Sequence, residues 1–262
     1  MKRFITDLKK YWKYIIYSTK AELKVEIINS YLGWIWLVLE PLAFMLIYAF
    51  IAGIIFKSSV PYFPVFIFVG QTLWNFFNKV VVQSVKLVAN NRDTVTKVYL
   101  PKFVLLMVKM GVNIFKMMVS YLIVFILMIF YQVPLSWNIL YMIPITLLTI
   151  LITFGFSCII MHFGVFIEDL VNLTNIVLKF VFYLTGIFYD LSSRIHNNLY
   201  RFILLEVNPI ANLIYNLRRV MIYSLPPASC SLIIWFFLGL GISYLGIKTI
   251  YKYENTYVKV IK

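Results

Sequence analysis

Acidic residues are scarce in this chain: ten Asp and Glu stand among 262 residues, against 24 Lys and Arg, and charge of both signs reaches only 13%. A soluble domain carries about 25% charged residues, so too little charge is present to cover a water-facing surface. Two cysteines exclude a disulfide framework. Cys158 and Cys230 both lie in apolar stretches with no metal-ligand spacing and read as buried thiols. His162 and His196 are too few and too scattered for a zinc site. The ten glycines form no G-x-x-x-x-G-K-S/T or G-x-G-x-x-G phosphate loop, and neither H-E-x-x-H nor G-x-S-x-G occurs. Carboxylates adjacent in sequence appear only at Glu168-Asp169, and adjacent side chains on a helix point about 100° apart, a poor acid–base pair. No catalysis is expected on this chain.

Apolar residues dominate what is present, at 62%, with 18% aromatic and a mean hydropathy of +0.88. That composition defines a polytopic membrane protein. Runs long enough to cross a bilayer fall at Trp34–Phe56, Tyr62–Val82, Phe103–Tyr131, Ile139–Ile167, Val171–Tyr189 and Ser229–Ile250. The expectation is an all-α fold with six transmembrane helices and both termini on one side. Seven Lys and Arg precede Trp34, six lie at or near the second connection (Lys79 to Lys109), and four occupy the C-terminal tail. The first connection carries only Lys57 and the third none. The excess of basic residues places the termini and the second connection in the cytoplasm. The net charge of +14 is explained in the same way, with no nucleic-acid partner.

Before the first span, Lys2 to Asn29 reads as an amphipathic helix rather than a signal peptide. Phe4, Leu8, Tyr11, Trp12, Ile15, Ile16 and Leu23 share a face, and Lys9, Lys13, Lys20 and Lys24 gather beside it. Such a helix lies at a membrane interface, against lipid headgroups or an acidic partner. The domain division is then residues 1–30 for the interface helix and 31–262 for the membrane domain. Two connections stand out. The second is polar and long enough for a short helix stopped by Pro101. The last, Asp190 to Ala228, is apolar and cut by Asn208-Pro209 and Pro226-Pro227. It is expected to form two short helices that re-enter the outer leaflet, shielded by protein or a cavity.

Ionisable groups inside spans are costly and are functional candidates. On the third span Lys102, Lys109, Asn113, Lys116 and Ser120 fall within about 60° of each other on an ideal helix. Two readings stand for that stripe: a cationic path for an anionic headgroup, or charges that snorkel (Lys102, Lys109) and pair internally (Lys116). Lys179, midway in the fifth span, has the same two readings. Glu40 offers a counter-ion to Lys116 or Lys179, or is simply an acidic residue near a helix start before Pro41.

Asn29 to Gly53 contains Tyr31, Leu32, Gly33, Trp36 and Pro41 in a Y-L-G-x-x-W…P pattern. This resembles the opening span of bacterial ABC exporter permeases for polysaccharides and teichoic acids, with Glu40-Pro41 most like the capsule and O-antigen exporters. Lys97 to Lys102 resembles the family's K-x-x-x-P stretch after span two, and Phe166 to Asp169 its acidic turn after span four. Asn208-Pro209 followed by Arg218-Arg219 resembles its N-P…R segment before the last span. The chain departs from the family at Thr185-Gly186, where a Ser-Pro pair is usual.

The resemblance implies a half-transporter: two copies of this chain with two separate nucleotide-binding ATPase subunits. No cofactor is expected on the chain itself, ATP and Mg belonging to the partner. The connection after span two would be a coupling helix, its Asn91, Arg92, Asp93 and Lys97 touching the ATPase. The segment holding Asn208, Pro209, Arg218 and Arg219 would form outer gate helices. The cargo would be a lipid-linked glycan or teichoic acid on undecaprenyl pyrophosphate, moved across the bacterial cytoplasmic membrane. Glu40, Lys109, Asn113, Lys116 and Lys179 would line its path or pair within the membrane. The alternatives are a drug or small-lipid exporter of the same superfamily, a membrane enzyme acting on polyprenyl lipids, and a scaffold.

Overall fold

In the computed structural model, residues 2–28, 33, 35–51, 60–191, 195, 197–228 and 230–260 are described, and all the regular structure among them is helical. Tyr31, Leu32, Trp34, Lys57, His196 and residues 52–56 of the first expected span lie outside the described residues.

Helix α1 spans Lys2–Ile28, as its apolar spacing predicts. It lies along the third span, with Ile15 buried and Phe4, Leu8 and Tyr11 packed against the core. Helix α2 spans Ile35–Phe50 and holds Pro41 well inside, not at its start. Proline donates no backbone hydrogen bond, so one rung of α2 is missing there.

Helix α3, Phe63–Val85, is the centre of the bundle. Tyr62 stands in the left-handed region before it, at φ 52°, and proline occupies its first turn, where a missing N–H costs nothing. Helix α2 and the helices at Lys102–Phe130, Met142–Phe166, Leu170–Leu184 and Pro209–Met221 all pack on α3. Two short helices follow, α4 at Leu87–Asn90 and α5 at Arg92–Lys97. The second connection is thus helical as expected, but α5 ends at Lys97 with Val98 extended. Pro101 does not stop that helix; it precedes α6, Lys102–Phe130. A 3-10 turn, Trp137–Tyr141, leads into α7, Met142–Phe166.

Helix α8 spans Leu170–Leu184. It ends where Gly186 takes φ 65°, a backbone conformation that glycine adopts without a steric penalty. Gly186 therefore lets the chain change direction just after α8. The last connection contains α9, Asn198–Phe202, a π-helical turn at Ile203–Val207, and α10, Pro209–Met221. Helix α11, Ser231–Val260, closes the bundle and lies along α7.

Among the described residues, four helical stretches are long and apolar enough to cross a membrane: Phe63–Val85, Lys102–Phe130, Trp137–Phe166 and Ser231–Tyr257. Helices α2 and α8 occupy expected spans one and five, with 16 and 15 residues. At 1.5 Å per residue they rise about 22–24 Å, short of a hydrocarbon core of roughly 30 Å.

Candidate functional site

Polar residues inside the bundle converge on one cavity of about 210 Å³ between α1, α2, α3 and α6. Two ion pairs line it. Glu40 of α2 meets Lys79 of α3 at 3.1 Å, and Glu26 of α1 meets Lys116 of α6 at 2.6 Å. Asn75, Asn113, Thr72 and Ser120 complete the polar wall, with Trp36 beside them. Thr72 and Ser120 donate to carbonyls of their own helices, those of Phe68 and Lys116. Asn113 donates to Gln83 Oε1 at 2.9 Å and ties α6 to α3.

The stripe on α6 is real, but it is not a free cationic wall. Lys109 is held by Glu22 of α1 at 2.6 Å, about one turn along α1 and two turns along α6 from the Glu26–Lys116 pair. Glu22 and Glu26 sit four residues apart and so share a face of α1. Lys102 does not snorkel either. It is buried, and its ammonium donates to the Leu100 carbonyl at 3.1 Å. Glu40 takes neither of the counter-ions expected for it; its partner is Lys79. Lys179 is exposed and does not line the cavity. Helix α8 buries Leu170, Thr174 and Leu178, and the next position points about 100° away.

The second connection forms a compact polar projection at the end of the bundle where α3 stops. Val95 is buried and anchors α5, while Arg92, Asp93 and Lys97 are exposed. Asn91 is half-buried, its amide spent on the Leu87 carbonyl at 2.8 Å. Gly164 of α7 lies so close to the end of α3 that a side chain would overlap the Val85 carbonyl. That contact fixes where α4 and α5 emerge.

Just after α5, Tyr99 joins a cluster that sequence reasoning missed. Arg3 donates to the Tyr99 hydroxyl at 2.6 Å and to Glu254 at 2.7 Å. The hydrogen bond to Glu254 holds the Arg3 guanidinium above its ordinary pKa. Asp7 accepts from Tyr251 at 2.7 Å. The start of α1, the exit of α5 and the end of α11 are therefore tied together. Only their meeting in space shows this, because the three segments are far apart in sequence. Arg3 is exposed, and an exposed pair is worth about 1 kcal/mol or less. Arg3→Ala should speed amide exchange at residues 98–100 by about fivefold at most. Unchanged exchange there would show that the cluster holds nothing.

At the far end of α3, Asn208 caps α10, its Oδ1 accepting from Ile210 and Ala211. Pro209 takes the first helical position, where its fixed φ suits a helix. Arg218 is 5% exposed and donates to the carbonyls of Phe66, Gly186 and Ile187 at 3.1, 2.8 and 2.8 Å. Its guanidinium also lies 3.4 Å from the centroid of the Phe66 ring. Arg219 is half-exposed and donates to the Pro226 carbonyl.

These features define a class: an all-helical, multi-pass membrane protein with charge-paired polar groups within its bundle. No protein-family model matches the chain. It is similar to the O-antigen export system permease protein RfbA of Myxococcus xanthus, 27% identical over 220 residues and 84% of either chain. It is also similar to two proteins of the same name from Klebsiella pneumoniae. One is 25% identical over 249 residues, 94% of either chain, and the other 26% over 208 residues, 79% of either. The resemblance to polysaccharide-exporter permeases therefore extends over most of the chain. It places the protein among transport components rather than enzymes.

Proposed function

We propose that this chain is the transmembrane subunit of an ATP-driven exporter that carries a lipid-linked polysaccharide or teichoic acid across the bacterial cytoplasmic membrane. The observation that carries the reading is similarity to three O-antigen export permeases over 79–94% of the chain. The exposed helix α5 supports it. A short, rigidly mounted polar helix at the end of a span suits a motor subunit that must push on the bundle. Two copies of the chain pair with two ATPase subunits, which hold ATP and Mg. Six spans place both termini in the cytoplasm, with α2 and α8 as the two short ones. Helices α9 and α10 re-enter the outer leaflet and form the outer gate. The glycan travels on undecaprenyl pyrophosphate, and the polar cavity between α1, α2, α3 and α6 lies on its route.

The test is co-purification from detergent with the neighbouring genes co-expressed, followed by an ATPase assay. Arg92→Glu with Asp93→Lys should reduce ATPase recovered with the permease by about tenfold, since reversed rim charges turn attraction into repulsion. The permease itself should stay folded, because both side chains are exposed. A wild-type chain that recruits no ATPase would overturn the reading.

A further inference from the structure

A second cavity, of about 370 Å³, opens where α3 begins, at the opposite end of the bundle from α5. Its polar wall comes from the turn after α8 and from α10: Thr185, Asp190, Tyr215, Arg218, Arg219 and Tyr223. The volume falls at the lower end of the range for small-molecule sites, roughly 300–1,000 Å³.

The wall is prepared in an unusual way. Arg218 spends three N–H groups on backbone carbonyls, and Arg219 spends its Nε on Pro226. A guanidinium has five N–H donors, so Arg218 is held in place and both keep donors to spare. The phenols of Tyr215 and Tyr223 make no hydrogen bond among the described residues. Burial and the neighbouring Asp190 carboxylate push the Tyr223 phenol up, so it stays a donor. Flat aromatic faces, a carboxylate that accepts and fixed guanidinium groups that donate match a ring bearing neighbouring hydroxyls. Asp190 in the same wall opposes a bare phosphate, and the charged groups oppose a purely apolar guest.

We propose that this cavity binds a single pyranose unit of the exported glycan at the outer end of its route. The inference rests on the exporter reading given above. The ring lies against a tyrosine face, and its vicinal hydroxyls bridge Asp190 and the guanidinium groups, with the Tyr223 hydroxyl as a further donor. A site of this size takes one residue of a polymer at a time, so it holds weakly and lets go as the chain advances. It uses the turn that Gly186 makes possible and the arginine that locks that turn to α3.

The test uses the full permease–ATPase complex in nanodiscs. The probe is glycan fragments released by mild acid from cells that display the exported polymer. Saturation-transfer NMR should show transfer to the fragments from the wild-type complex. Tyr223→Phe and Asp190→Asn should each cut that transfer by about fivefold, the loss expected for one hydrogen bond. Thermal stability and ATPase recovery should not change for Tyr223→Phe, which keeps the ring in place. Equal transfer in wild type and Tyr223→Phe, or none in either, would overturn the sugar site while leaving the exporter reading intact. So would displacement of the fragments by inorganic phosphate at low millimolar concentration, which would make the cavity an anion site. Display of the polymer that persists after deletion of this chain would overturn the exporter reading and the sugar site together.

Discussion

Lys116→Glu should reduce the yield of folded permease by roughly thirtyfold. The change sets two carboxylates against each other where Lys116 and Glu26 now meet at 2.6 Å. An unpaired charge among apolar helices costs about 2 kcal/mol or more, and that is a large part of a marginal stability. The measurement is the fraction of detergent-extracted protein that elutes as one sharp peak. Exchanging the charges, Glu26→Lys with Lys116→Glu, should restore most of that yield and most of the export. The double variant separates the two roles first considered for Lys116. A lysine that holds an anionic headgroup is not replaced by a lysine on a different helix. A swapped pair that folds and exports nothing would therefore overturn internal pairing.

Arg218→Ala should lower the melting temperature in detergent by roughly 6–12 °C. Removing the guanidinium takes away a side-chain donor from the carbonyls of Phe66, Gly186 and Ile187. Losing hydrogen bonds from a charged donor costs about 3 kcal/mol here, and in a chain of this size each kcal/mol shifts melting by about 2–4 °C. Arg218→Lys should recover little. An ammonium on a flexible stem cannot reach three carbonyls with the geometry of a planar fork. Arg219→Ala is the control, expected within about 0.5 kcal/mol of wild type because that side chain sits at a half-exposed rim. Equal melting of Arg218→Ala and Arg219→Ala would show that Arg218 locks nothing.

The contrast between those two neighbours shows where sequence reading stops. Arg218-Arg219 looks like a basic pair with one role, yet adjacent positions on a helix face different ways. One is buried against α3 and the other faces the rim. Periodicity carried what it can carry. It located α1 and its apolar face and the polar stripe on α6, while segment length and proline positions marked the short helices after spans two and five. Partners were not legible, because they come from other elements. Nothing local marks Lys79 as the partner of Glu40, or Glu22 and Glu26 as partners of Lys109 and Lys116. Glu22 and Glu26 stand on the same helix as Lys20 and Lys24, and spacing alone does not say which of these charges meets another helix. By position alone Lys102 reads as an interfacial lysine, since lysines there usually extend into water. The turn before α6 instead offers it the Leu100 carbonyl.

The pairing of α1 with α6 also sets an order of events during synthesis. Glu22 precedes Lys109 by 87 residues, so the ribosome has finished the acidic face of α1 about 4–17 s before the first lysine of the pair exists, at roughly 5–20 residues per second. When α6 reaches the translocon, its lysines oppose insertion by about 2.5–3.5 kcal/mol each at mid-helix depth. A ready-made row of carboxylates, waiting at the membrane since the first moments of translation, offers them neutralisation as they enter. The counter-charges of Lys109 and Lys116 are therefore made well before the lysines they neutralise.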